Sequence, residues 1–246
     1  MDKLIYTAMT GASHTMNQQA AVSQNLANTN TPGFRAAINT FRAVPLQGEG
    51  LPTRAFVVDS TACADFSSGV MEATGRPLDV AVNGDGWIAV QAQDGSEAYT
   101  RNGSLQLAPS GLLQTRSGGN VLGDAGPITV PPASKVTIAQ DGTVFATAPG
   151  SGAAEAVAVG RLKLTNPPQN TLLRGDDGMF RSNDGKPVAA DANVNVMSGF
   201  LESSNVNAVE TMVNMISLAR QFDMQMKMLT TADNNARQAS KILSSN

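Results

Sequence analysis

Residues 4–34 carry no Asp, Glu, Lys or Arg, and Asn17, Gln18, Gln19, Gln24, Asn25, Asn28 and Asn30 stand where charges would. Ile5, Met9, Ala12, Met16, Gln19 and Leu26 recur there at mostly three- and four-residue steps, with Val22 beside them. That spacing predicts a helix with one narrow apolar seam. Asn28-Thr29-Asn30-Thr31-Pro32-Gly33 supplies the turn chemistry that ends it.

The far end mirrors this pattern. Val209, Met212, Ile216, Ala219, Phe222, Met226, Leu229, Ala236 and Leu243 step by threes and fours, and no Pro or Gly occurs between 206 and 243. Asp223–Lys227 and Asp233–Arg237 place acid before base at i, i+4, and Ser203, Ser204 or Asn205 is the expected cap. Of the 11 methionines, Met212, Met215, Met224, Met226 and Met228 crowd this helix on more than one face. That distribution points to more than one partner, because thioether side chains adapt to non-identical neighbours. A single narrow helix gains little in water. Both seams must therefore be buried, either on each other or on copies from neighbouring subunits. The second option implies assembly and is the sharper reading.

Between the ends the period changes to two. Leu78–Val82 and Trp87–Val90 alternate, and short β-type runs follow at 97–101, 104–108, 111–115, 127–130, 135–139, 142–147 and 156–165. Turn pairs such as Asp94-Gly95, Asn102-Gly103, Gly118-Gly119 and Asp141-Gly142 separate them. Aromatic residues make up 4% of the chain, so the core must rest on Val, Leu, Ile, Ala and Met. The fold class is α+β: a discontinuous, coiled-coil-like terminal helical domain plus a mainly antiparallel β-sandwich or barrel-like domain. The expected divisions are an N-terminal helix over 1–34, an extended connector over 35–75, a β domain over 76–200 and a C-terminal helix over 201–246.

Composition removes many functions. Lys+Arg total 17 and Asp+Glu 20, a net charge of -3 that offers no basic footprint for nucleic acid. No apolar run approaches the roughly 18 residues of a membrane span. The first residues, Met1 to Thr7, hold no apolar stretch of the signal-peptide kind, so export without a cleaved signal is expected. One cysteine, Cys63, and one histidine, His14, exclude an intramolecular disulfide framework and two-histidine zinc motifs. Asp191-x-Asn193-x-Asn195 with Glu202 at loop position twelve mimics a calcium loop, but Val196 replaces the necessary glycine. Asp79 and Asp85 beside Trp87 could serve glycoside hydrolysis. Turn chemistry already explains Asp85, and Asp79 can face solvent or pair with Arg76. Catalytic, cofactor and metal residues are therefore all assigned as none.

Three segments carry a family resemblance. Ser23-Gln24-Asn25-Leu26-Ala27-Asn28-Thr29-Asn30-Thr31-Pro32-Gly33-Phe34-Arg35 resembles the N-terminal signature of the bacterial flagellar rod and hook proteins. Leu78 to Trp87, followed by Tyr99-Thr100-Arg101-Asn102-Gly103, looks like their shared β-domain motif. Ser198-Gly199-Phe200-Leu201-Glu202-Ser203-Ser204-Asn205-Val206 resembles the block that opens their C-terminal helix. The opening Met1 to Met9, Trp87 and the modest length are most similar to the proximal-rod branch. This resemblance implies a structural subunit of the basal-body rod in the periplasm, exported by the flagellar type III apparatus. Its partners would be other rod proteins and copies of itself. The family motif marks Leu26, Asn28, Gly33 and Phe34 as interface residues, and periodicity marks Val209, Met212, Ile216, Phe222, Met226 and Leu229. Asn17, Gln18 and Gln24 are candidates for a neutral, wettable channel lining. The terminal segments are expected to be disordered in the free subunit and to order on assembly. The alternatives are a distal-rod or hook-like subunit, a peptidoglycan-active carboxylate enzyme using Asp79 and Asp85, and a self-contained module with a sealed helix pair.

Overall fold

The structure, a computed structural model, describes residues 2–45, 55–132, 134–148 and 156–244. The chain divides into two compact units: residues 1–29, 36–65 and 206–246 form unit 1, and residues 30–35 and 66–205 form unit 2.

Unit 1 contains α1 (Asp2–Ala27), α2 (Ala208–Ser244), and the strands β1 (Ala37–Pro45) and β2 (Ala55–Ala64). The helices pack on each other, and they run antiparallel. Gln225 meets Gly11 and Thr15, whereas Met215 shares a groove with Met16, Gln19, Ala20 and Ser23. The less exposed face of α1 reads Ile5, Ala8, Ala12, Thr15, Gln19, Val22, Leu26, and that of α2 reads Ala208, Thr211, Met215, Leu218, Phe222, Gln225, Leu229, Ala232. Both sets alternate steps of three and four, the 3.5-residue repeat of a coiled-coil seam. Small residues let the helices approach. A polar layer interrupts the seam where the Thr15 hydroxyl lies 3.0 Å from the Gly11 carbonyl and 3.1 Å from Gln225 Oε1.

Within one chain this pairing takes the first of the two options the sequence left open, burial of the seams on each other. The covered face of α1 keeps Ile5, Ala12, Gln19 and Leu26 of the stripe read from the sequence, whereas most of the stripe read on α2 is left uncovered. Met9, Met16, Val209, Met212, Ile216, Ala219 and Met226 are exposed, while Phe222 and Leu229 lie on the seam. Both helices carry apolar side chains on more than one face, so spacing alone does not select the covered one. Close approach favours the face with alanines. The α2 cap also differs. Asn207, not Ser203, Ser204 or Asn205, receives the Val209 and Glu210 N–H groups on its Oδ1, at 3.1 and 3.3 Å.

Residues 35–75, read as irregular extended chain, instead hold the antiparallel β1–β2 pair, with a register shift between Asn39 and Phe41. Gly48, Gly50 and Pro52 lie outside the described residues. Asn25 clips this pair to α1. Its Oδ1 accepts the Ala37 N–H at 2.7 Å and its Nδ2 donates to the Ala37 carbonyl at 2.9 Å. Asn39 Nδ2 donates to the Asn17 carbonyl at 3.2 Å.

Unit 2 opens with β3 (Met71–Ala73), β4 (Val80–Asn83), β5 (Trp87–Gln91), β6 (Glu97–Thr100), β7 (Leu105–Leu107), β8 (Leu113–Thr115), β9 (Asn120–Gly123) and β10 (Gly126–Pro127). It continues with β11 (Lys135–Ile138), β12 (Thr143–Thr147), β13 (Val157–Arg161), β14 (Leu164–Thr165), β15 (Leu172–Arg174), β16 (Phe180–Ser182), β17 (Asn195–Ser198) and β18 (Phe200–Glu202). All pairings are antiparallel. The main sheet runs β15-β16-β6-β5-β9-β8-β7, and β11-β12-β13 form a second. Chain-distant pairs complete the unit, β17 with β4 and β18 with β3. Val80, Val82, Ile88, Val90, Leu105, Leu113, Val121, Val144, Leu164 and Val196 make the core, aliphatic as composition requires. Trp87 packs with Phe180 at 4.8 Å and edge-on to Phe66 at 5.9 Å.

One polar network in this unit responds to pH. The buried Tyr99 hydroxyl donates to Glu97 at 2.9 Å and accepts the Val188 N–H at 2.8 Å, while Lys163 Nζ reaches both Glu97 oxygens at 2.8 Å. Burial, reinforced by the Glu97 carboxylate, pushes the phenol up to about 12. An unfolded tyrosine ionises near 10. The stabilisation is thus complete below about pH 10 and is lost as pH rises from about 10 to 12, where the folded state holds the extra proton. Denaturation from pH 8 to 12 should show this decline in the wild-type chain. The same segment should be flat in Tyr99→Phe once background titration is subtracted.

Candidate functional site

The three quoted motifs converge on one buried charge node in unit 2. Glu202, at the end of β18, has no exposed surface, Arg35 is 1% exposed and Arg101 4%. Arg35 Nη1 lies 2.7 Å from Glu202 Oε1, and Arg101 Nη1 donates to Glu202 Oε2 at 3.1 Å. Gly69 N–H donates to Oε1 at 2.9 Å, and Gly33 N–H donates to the Glu202 carbonyl at 2.7 Å. Arg101 Nη2 donates to the Gly84 carbonyl at 2.8 Å, with the guanidinium 5.5 Å from the Trp87 ring centre.

Two guanidiniums around one carboxylate leave an excess of buried positive charge. Arg35 Nε and Nη2 and Arg101 Nε have no hydrogen-bond partner among the described residues. Burial pushes the Arg101 guanidinium below its ordinary value; Glu202 opposes that shift and Arg35 adds to it. A third arginine, Arg174, stacks over Phe34 at 4.4 Å and donates to the Arg35 carbonyl at 3.0 Å. Burial lowers its value as well.

Two backbone bonds and one side-chain bond stitch the same segments. Asn205 N–H donates to the Phe34 carbonyl at 3.3 Å, Ser203 N–H to the Val70 carbonyl at 2.8 Å, and Asn205 Nδ2 to the Ser67 carbonyl at 3.1 Å. Residues 30–35, 66–70 and 202–205 each adjoin a point where the chain passes from one unit to the other. The node therefore fixes three of these entries relative to one another within unit 2.

Of the interface residues read from the sequence, Gly33 and Phe34 are buried in this node. Leu26 is half-buried on the α1 seam, and the Asn28 amide donates to the Gln24 carbonyl at 2.9 Å. Val209, Met212, Ile216 and Met226 lie on open faces of α2. Asn17 and Gln24 are exposed, whereas Gln18, two turns from Asn25 on the side of the strand pair, is half-buried. Sequence reasoning missed Arg35, Arg101 and Glu202 as a set. Their signal was charge inside motifs of a chain with only 15% charged residues.

The rejected motifs find local explanations. Asp79 is buried, not solvent-facing: Thr74 Oγ1 donates to it at 2.7 Å and Arg76 lies 3.6 Å away. Asp191 Oδ1 accepts the Asn193 N–H at 2.9 Å in a local turn. No group of three acidic, His or Cys residues suited to a metal occurs among the described residues. No described helix is long and apolar enough to cross a membrane.

Comparisons with known proteins agree with the three motifs. Residues 5–35 match the family model described as flagella basal body rod protein. Residues 81–146 match the flagellar hook protein FlgE/F/G D1 domain, and residues 197–242 match the flagellar basal body rod FlgEFG protein C-terminal model. The flagellar basal-body rod protein FlgF of Escherichia coli (strain K12) is 53% identical over 250 residues, covering 99% of each chain. That of Salmonella typhimurium (strain LT2) is 51% identical with the same coverage. The rod protein FlgG of Buchnera aphidicola subsp. Schizaphis graminum is 28% identical over 97% of this chain and 98% of its own.

Proposed function

Because this chain belongs to the flagellar basal-body rod protein family and is a structural subunit of the rod, not an enzyme, we propose that it joins the proximal rod through the open faces of α1 and α2. It docks there on copies of itself and on other rod proteins, in the periplasm, after passing the flagellar export apparatus. The finished rod transmits torque and passes later subunits.

The observation that carries this reading is the apolar stripe that the α1–α2 pairing leaves uncovered. Val209 is 71% exposed, Val213 60%, Ile216 56% and Met212 51%. Tyr6, Met9 and Met16 stand open on α1, and a groove of about 260 Å³ lies between Met16, Gln19, Ala20, Ser23 and Met215. Exposed clusters of this kind mark contact surfaces. Asn17 and Gln24 remain the candidate channel-lining residues, on a face of α1 without charge.

Ile216→Asp combined with Val213→Asp tests the interface. The variant chain should fold normally by circular dichroism yet fail to enter basal bodies, and cells relying on it should not swim. Normal swimming would sink the proposal. Gln24→Lys tests the lining in the same strain. It should permit rod assembly but reduce delivery of later flagellar subunits, and unchanged delivery would remove Gln24 from the lining.

A further inference from the structure

We propose that the Glu202 node is the last part of unit 2 to form, so that the unit stays open until β17 and β18 have been seated. The order follows from where the contacts lie along the chain. Strands β5 to β13 are joined mainly by short hairpins: β5 with β6, β7 with β8, β8 with β9, and β11 with β12. Local pairings of this sort have small closure costs and form early. By contrast, Arg101 and Glu202 are 101 residues apart, and Gly69 and Glu202 are 133 apart.

The two edges left waiting are specific. Among the described residues, β4 takes its ladder partner from β17 and β3 from β18. Val194 and Val196 also belong to the core that Val80 and Val82 enter. Electrostatics points the same way. Before Glu202 arrives, burying Arg35 and Arg101 would place two guanidinium charges in the interior without the carboxylate both of them touch, which is strongly unfavourable. Both guanidiniums therefore remain in water until the carboxylate reaches them.

One partner of the node is near each end of the chain. A chain passing through a narrow conduit in either direction has Arg35 and Glu202 on opposite sides until nearly all of it has cleared. Unit 2 then cannot close inside the passage. That use rests on the assembly reading above, but the order of closure does not.

Pulsed hydrogen exchange on the full-length chain, refolding from denaturant, tests the order without any substitution. The amides of Ala92, Leu113 and Ala139, bonded to Ser96, Ile128 and Thr143, report the local sheets. Those of Gly33, Gly69 and Val196, bonded to the Glu202 carbonyl, Glu202 Oε1 and the Gln140 carbonyl, report the node and β17. The second set should gain protection about tenfold later than the first. Simultaneous or earlier protection overturns the proposal. Kinetics of Glu202→Gln, read from Trp87 fluorescence, give a second measure. Unfolding should accelerate about tenfold or more while folding changes less than about twofold. Slower folding with unchanged unfolding would place the node early and overturn the proposal. If that variant does not fold, the exchange data on the natural chain decide. Failure of the order would leave the Ile216→Asp swimming result untouched, so the two readings fail separately.

Discussion

Alanine at position 202 should destabilise unit 2 by about 3–5 kcal/mol, the usual consequence of removing one partner from a buried ion pair. The loss is large against a total domain stability of roughly 5–15 kcal/mol. It arises less from the missing attraction than from what remains: two buried guanidiniums, already short of hydrogen-bond acceptors, that have lost the carboxylate they share. The Gly69 N–H also loses its acceptor. Urea denaturation followed by the single tryptophan, Trp87, reads the change directly. A second variant separates charge from packing. Replacing Arg35 and Arg101 by Met and Glu202 by Leu together removes all three charges and should cost less than Glu202→Ala alone. If the triple variant is as unstable as the single one, shape and not uncompensated charge governs the node.

Gly33→Ala should also be strongly damaging, because two penalties coincide there. Gly33 has φ +68, and a Cβ added to it would run into the Arg101 carbonyl. The left-handed conformation alone costs an alanine about 1–2 kcal/mol. The collision is with backbone, which cannot swing away, and it would push Arg101 from Glu202. Gly185 is the control: its φ is +63, but an added Cβ meets nothing within 4 Å. Gly185→Ala should show the conformational penalty by itself, about 1 kcal/mol, with Gly33→Ala at least about 2 kcal/mol worse. Equal midpoint shifts for the two variants in urea would mean that the close approach relaxes at little expense.

The sequence made the helices and most strands readable because their signals are local. Absence of Pro and Gly marked α2, and Asp94-Gly95 and Asp141-Gly142 marked turns whose glycines have positive φ in the structure. Asn102-Gly103 looked alike but differs in cause: Gly103 lacks positive φ, and the glycine is needed because Val80 backbone lies against it. The β1–β2 pair was hidden by Pro45 and by the Gly48-to-Pro52 stretch, which read as breaks in a connector. Seam selection failed where two apolar stripes shared one helix. Met212 and Met215 are three residues apart, and only the tertiary pairing decides that Met215 is the covered one. The node was illegible for a stronger reason. An isolated Arg or Glu in a motif reads as surface, and no local pattern links Arg35 to Glu202.

The interleaving of the two units bears on which molecules can be used at all. Unit 1 takes residues from both ends of the chain, and the Arg35–Glu202 pair within unit 2 does the same. A polypeptide cut short at either end by proteolysis, or by an early stop, therefore loses one helix of the α1–α2 pair, the node, or both, however sound the rest may be. Intactness is thereby registered physically, as the presence of two sealed pairings, with no separate inspector required. A tubular polymer built one chain at a time has particular need of such a criterion, since a single defective member would sit in line with every load and every passenger that follows.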